Sequence, residues 1–113
     1  MIPSQSLAEK IIMEVRKVLK ENVIVVGKDG IIMASTDPVR IGTFHEGAYN
    51  VVQSGEKLDI HAEDVKRLKG VKQGVNLPIR FNNDVIGVIG ITGVPNEVSH
   101  HGDLLRRMTE LLI

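Results

Sequence analysis

The run Val85-Ile86-Gly87-Val88-Ile89-Gly90-Ile91-Thr92 is apolar on both of the faces that a strand would present. A strand of that kind has no side to give to water, so it belongs in the middle of a sheet that is covered above and below. Just upstream, Val75-Asn76-Leu77-Pro78-Ile79-Arg80-Phe81 alternates instead, with Val75, Leu77, Ile79 and Phe81 on one face. Asn82-Asn83 turns the chain between the two runs, so they form a hairpin. Asn76 and Arg80 share the opposite face, where alternation leaves them facing either a pocket or solvent. Pro78 lacks a backbone donor and marks an edge or a bulge.

The remaining segments supply the cover. Ser4 or Ser6 can cap a helix running to about Asn22, with Glu9 three residues after Ser6 as in a capping box. Leu7, Ile11, Val15 and Val18 recur at helical spacing, widened by Ile12 and Leu19. Val23–Val26 and Ile31–Ser35 read as strands joined by a Gly27-Lys28-Asp29-Gly30 hairpin turn. A helix from about His45 to Gln53 ends near Gly55, Leu58–Ile60 forms a short strand, and a helical turn is expected around Val65–Leu68. Gly93-Val94-Pro95 stops the central strand. A last helix starts near Asn96 and carries Leu104, Leu105, Met108, Leu111 and Leu112. It reaches Ile113 with no capping signal, which reads as a domain continuing into a longer protein.

Tight turns between neighbouring strands imply an antiparallel sheet of about five strands with flanking N- and C-terminal helices, an α+β domain over residues 1–113. That element order is shared by PAS-like sensor domains and by roadblock and longin modules. The 113 residues fit one domain, and fourteen basic against fourteen acidic side chains leave no net field to attract nucleic acid or anionic lipid. Without cysteine there are no disulfides and no thiolate chemistry. No signal peptide and no run long enough to cross a bilayer is present, so the cytoplasm is the expected location and no membrane partner is expected.

The stretch Ser35-Thr36-Asp37-Pro38-Val39-Arg40-Ile41-Gly42-Thr43-Phe44-His45-Glu46-Gly47-Ala48 is rich in hydrogen-bonding groups. Two hydroxyls, a guanidinium, an imidazole and the N–H groups of a helix start can hold a small anion rich in oxygen. The bland alternatives are an Arg40 paired with Asp37 or Glu46 on the surface, a His45 that merely begins a helix, and an Asp37 that opens a turn before Pro38. Gly87 and Gly90 read as close packing within the strand, and Gly93 as the glycine to meet a ligand.

Several segments together resemble the sugar diacid recognition domain, the N-terminal module of carbohydrate diacid regulators. They are Ala34–Pro38 with Arg40-Ile41-Gly42, then His45–Ala48, Gly74–Ile79, Val85–Gly93, Pro95 and Glu97-Val98, in order along nearly the whole chain. The resemblance implies a PAS-like sensor of sugar diacids such as glucarate and galactarate, or of glycerate. It also implies a C-terminal helix-turn-helix region that activates transcription and is absent here, so DNA would be met only through that region. For such a ligand Arg40 serves as one carboxylate anchor, and His45 with the helix start at Phe44–Gly47 as the other. Ser35, Thr36, Asp37, Asn76 and Thr92 serve the hydroxyls, with Glu46, Gly47 and Gly93 around them.

No catalytic constellation can be assembled, so no enzyme activity is expected. His100-His101 with Glu97 and Asp103 lack the spacing of a metal site, and with no Trp, one Tyr and two Phe there is little surface for a flat cofactor. Neither metal nor cofactor is expected. The apolar stripes of the terminal helices exceed what one sheet face needs, which implies a homodimer. The rival reading is a ligand-free roadblock- or longin-like scaffold, with an exposed apolar surface and no polar cavity.

Overall fold

Asn82 and Asn83 both adopt left-handed backbone angles, with φ of 51° and 69°, a conformation that asparagine tolerates and a two-residue hairpin demands. They join β4 (Gly74–Phe81) to β5 (Asp84–Thr92). The structure, a computed structural model, describes residues 4–113; Met1 to Pro3, part of the N-terminus read for a signal peptide, lie outside the described residues. The other strands are β1 (Val23–Val26), β2 (Ile32–Ser35) and β3 (Leu58–Ile60). Their order is β2-β1-β5-β4-β3, with every neighbouring pair antiparallel. β5 therefore sits in the middle, as its two apolar faces require.

Pro78 proves to mark both an edge and a bulge. β3 pairs with β4 only from Gly74 to Asn76, so beyond that point β4 has no neighbour on that side and the missing N–H leaves nothing unpaired. On the other side the β4–β5 register slips between Ile79 and Arg80. The slip breaks the expected alternation: Phe81 is exposed, while Ile86 joins the same core as Ile79 and Ile89.

Two helices cover one face and one covers the other. α1 (Gln5–Val15) and α3 (Pro95–Leu111) pack Ala8, Ile11, Ile12, Val15, Val98 and Leu105 against Val25, Leu77, Ile89 and Ile91. On the opposite face α2 (Glu46–Ser54) sets Ala48 and Val51 over Ile24, Val26, Ile32 and Val88. Gly55, at φ 76°, closes α2 with a left-handed cap. Ile60, Leu68 and Val71 extend the cover past α2.

Three expectations need correction. α1 is capped by Ser4, whose side chain accepts the Leu7 N–H, and it stops at Val15 rather than Asn22. Beyond Val15 the bonds shorten to Lys17 N–H with Glu14 C=O and Val18 N–H with Val15 C=O, because the chain must reverse before entering β1 at Val23. Val18 is left 79 % exposed. The short helical turn lies at Ala62–Lys66, earlier than Val65–Leu68, where Asp64 accepts the His61 N–H and so fixes its start. Finally, α3 turns Val98, Gly102, Leu105 and Thr109 inward, while Leu104, Met108, Leu111 and Leu112 face out. At Gly102 the helix lies close to the sheet. A Cβ on Gly102 would come within 2.9 Å of Leu77 Cδ1.

Ile89, fully buried in the central strand, is expected to dominate stability. Ile89→Ala should cost about 2–5 kcal/mol, and Met13→Ala on the exposed side of α1 less than about 0.5 kcal/mol, both read by urea unfolding. Equal effects would contradict the layer assignment.

Candidate functional site

Ser35, Ile24, Gly90, Asn76 and Leu58 are directly paired from strand to strand, so they form one row across the whole sheet on the α2 face. At the centre of the row Gly90 leaves out a side chain. A Cβ there would lie 2.7 Å from Asn76 Oδ1 and 2.8 Å from Ile24 Cγ1. The gap is a small pit whose walls are Arg40, His45, Lys72, Asn76 and Thr92 with backbone from Gly74. Its free volume is about 10 Å³, room for about one water molecule.

His45 begins α2 and is only 2 % exposed. Its Nδ1 accepts the Ala48 N–H at 2.9 Å, which assigns the ring proton to Nε2. Burial first, and then the nearby Arg40 charge, lower its pKa to about 4. His45 is therefore a neutral hydrogen-bond donor at physiological pH rather than a cation. Asn76 is buried beside it, with its Oδ1 turned to the space that a side chain on Gly90 would fill.

Arg40 ends a 3₁₀ turn, Pro38–Arg40, that Asp37 opens by accepting the Val39 N–H. Its Nη2 donates to the Gly70 carbonyl at 2.8 Å. Desolvation lowers its pKa from the ordinary arginine value, with Asp37 opposing, and the group stays charged. Lys72 comes from the loop before β4, and its Nζ lies 3.9 Å from Asp37 Oδ2.

Of the residues singled out in the sequence, Arg40, His45, Asn76 and Thr92 converge on the pit. The others surround it in roles that hold the frame. Ser35 Oγ accepts the Asp37 N–H, and Thr36 Oγ1 accepts the Val23 N–H while donating to Asn22 Oδ1. Glu46 is tied twice to Lys69, donating from its own N–H to the carbonyl and accepting the N–H on Oε1. Gly47 lets α2 approach β3, since a Cβ would meet Ile60 Cδ1 at 2.7 Å. Gly93 donates to the Gln73 carbonyl and packs under Val98, away from the pit lining.

Two readings of this region change. The α2 start does not offer a free cradle of N–H groups, because Glu46 donates to Lys69 and Ala48 to His45. Gly90, not Gly93, is the glycine that shapes the pit. A glycine inside an otherwise apolar strand was a legible sign of close approach. Lys72 gave no such sign, since it sits in a polar, Lys-rich stretch that looks like ordinary surface.

A far larger open groove, about 920 Å³, lies at the opposite end of the sheet between the two hairpin turns. Ile31, Ile32, Met33, Ile41, Phe81 and Ile86 line it with Lys28, Asp29 and Asp84. Ile41 and Gly42 of the donor-rich stretch reach it but none of the residues expected to hold a ligand does, and it lacks the buried polar groups that fix a small ligand's orientation. Among the described residues no cluster of three or more His, Asp or Glu could hold a metal ion. His101 instead lies 3.9 Å from Glu21. No described helix is long and apolar enough to cross a membrane.

A central antiparallel sheet with two terminal helices on one face, and a polar pit beneath the third helix on the other, defines a PAS-like α+β domain. The fold is similar to the GAF domain of an Acinetobacter phosphoenolpyruvate-protein phosphotransferase, with a TM-score of 0.67 at 15 % identity over 94 % of this chain and 79 % of that one. Residues 4–113 match the family described as "Putative sugar diacid recognition", and the chain belongs to that family. It is 52 % identical over 107 residues to the uncharacterized protein YsfB of Bacillus subtilis, covering 95 % of this chain and 29 % of that protein. Over another 107-residue match it is 36 % identical to the carbohydrate diacid regulator of Escherichia coli, covering 95 % of this chain and 28 % of the regulator. The chain thus spans less than a third of the length of these relatives.

The depressed His45 pKa makes stability depend on pH. The unfolded chain binds a proton at His45 below about 6.5, the folded one only below about 4. Stability contributed by this residue should be fully present above pH 6.5 and fall as the pH drops toward 4, on the order of 3 kcal/mol in all. His45→Asn keeps a capping side chain, and its stability should vary less with pH in that window when both proteins are unfolded in urea. Parallel pH profiles would show that His45 is not held neutral.

Proposed function

We propose that this domain is a non-enzymatic sensor that binds a small hydroxylated diacid of the glucarate and galactarate class, or glycerate, in the pit at Gly90. As the N-terminal part of a longer regulator, it would pass the binding event to a helix-turn-helix region that activates transcription from the cytoplasm. The observation that carries the reading is the convergence of Arg40, His45, Asn76 and Thr92 on one polar pit in a member of the diacid recognition family. Arg40 offers a planar fork for one carboxylate. The neutral Nε2–H of His45, the Asn76 carboxamide and the Thr92 hydroxyl suit the hydroxyls. A roadblock- or longin-like scaffold has no use for a buried His45 and Asn76 beside a cation, so the pit favours sensing.

Binding should raise the melting temperature. At a hundredfold excess over Kd the stabilisation is about 2.7 kcal/mol, on the order of several degrees for a domain of this size. A thermal-shift panel of glucarate, galactarate and glycerate tests this, and no shift at millimolar concentration with any of them would refute it. Arg40→Ala should weaken the responding acid by calorimetry, by about 2–5 kcal/mol if the ligand buries the pair.

The relay we propose is a homodimer through the terminal helices. Leu104, Met108, Leu111 and Leu112 of α3 are exposed, and with Val18 some of them border an apolar groove of about 160 Å³ between the end of α1 and α3. A second copy covering that seam would allow a ligand to shift the balance between two helix arrangements. Met108→Glu, at a residue 53 % exposed, should yield a folded monomer by light scattering where the parent chain is a dimer. A monomeric parent would remove this relay.

A further inference from the structure

Two loops meet over the pit, and each sends a cation to the other. From the loop after β2, Arg40 reaches the Gly70 carbonyl; from the loop before β4, Lys72 reaches back to Asp37. We propose that Arg40 and Lys72 form a two-cation clasp over the mouth of the pit, in which Lys72 anchors the second carboxylate and selects dianions over monoanions with the same hydroxyls. This rests on the diacid-sensor reading given above.

The arrangement sorts charge by depth. The buried groups, His45 and Asn76, are neutral at physiological pH and partner hydroxyls. The charged groups stand at the rim, where the side chain of Lys72 is 48 % exposed and Arg40 is half-buried. Near the rim, Asp37 is the one acid paired with either cation among the described residues, and the Glu46 carboxylate is turned to the Lys69 N–H. Two cations against one acid leave the mouth with a net charge of +1 and place a cation on each loop, one for each end of a ligand with two carboxylates.

Both cations are now held by partners that a carboxylate can displace. A neutral carbonyl is a weaker acceptor for a guanidinium than a carboxylate is, and the Lys72–Asp37 pair is at the long end of an ion pair. The pit has room for about one water, too little for a sugar diacid. Arg40 and Lys72 are the two long, flexible side chains of its lining, and swinging them outward would open its mouth. The ligand would then bridge the two loops that the cations bridge now.

Galactarate and galactonate test the clasp, because they share a carbon chain and differ at one end only, carboxylate against hydroxymethyl. The parent domain should bind galactarate more tightly by about tenfold or more in calorimetry, a gap of about 1.4 kcal/mol. Lys72→Met should remove most of that gap by weakening galactarate while leaving galactonate near its parent affinity. Lys72→Arg should restore the gap. If Lys72→Met preserves the preference, or weakens both ligands alike, the clasp is overturned and the sensor reading stands. If the parent domain binds neither these acids nor any in the thermal-shift panel, both fall together.

Discussion

A central strand buried on both faces is the constraint on which the rest of this domain depends. β5 is flanked by β1 and β4 and has no side open to water. Each face must therefore be roofed, α1 and α3 on one side and α2 with its loops on the other. The roof on the second side is where chemistry becomes available. α2 is short, nine residues, and packs Ala48 and Val51 over Ile24 and Val88, but at the end of the sheet where Gly90 meets Asn76 the lining comes from its cap His45 with Arg40 and Lys72. The polar loops on either side of α2 close that end instead. A pit between a sheet and two loops is the consequence of a roof one helix too short for the floor.

The electrostatics of the pit follow from the same geometry. His45 caps α2 with Nδ1, and that bond fixes which nitrogen carries the proton. Burial against the sheet then makes a charged imidazole costly, and the neighbouring guanidinium adds to the cost. Arg40 stays charged because it keeps one edge toward water and a carbonyl partner on the opposite loop. The outcome is a neutral floor under a cationic rim. In the sensor we propose, this arrangement sets a ligand's hydroxyls deep and its carboxylates shallow, which avoids burying a full charge.

Much of the fold was legible because local rules and global layout agree. The strand limits of β1 and β3, the Asn82-Asn83 turn, the Gly55 cap and the central place of β5 follow from residues that act over a few positions. The misreadings share a cause. The end of α1 was set by where β1 must begin, and the inner stripe of α3 by how closely Gly102 lets that helix approach Leu77. Neither quantity is written in periodicity: the leucines of α3 read as a stripe wider than one sheet face needs, and only packing shows that Leu105 turns in while Leu104, Met108 and Leu111 face out. Phe81 was placed on one face with Ile79 because Pro78 hints at a bulge without fixing where the register slips.

The sequence by itself determined which residues could form a site: Arg40 and His45 in one donor-rich loop, Asn76 on an alternating strand, and a family resemblance that the match over residues 4–113 bears out. Only the tertiary structure decided how they meet. Strand pairing puts Gly90 between Ile24 and Asn76, so one missing side chain becomes a pit. Chain return brings Lys72 to the same mouth as Arg40, though 30 or more positions separate them in sequence. Donor types are a property of residues, but their convergence is set by register and loop closure, which depend on contacts far apart along the chain.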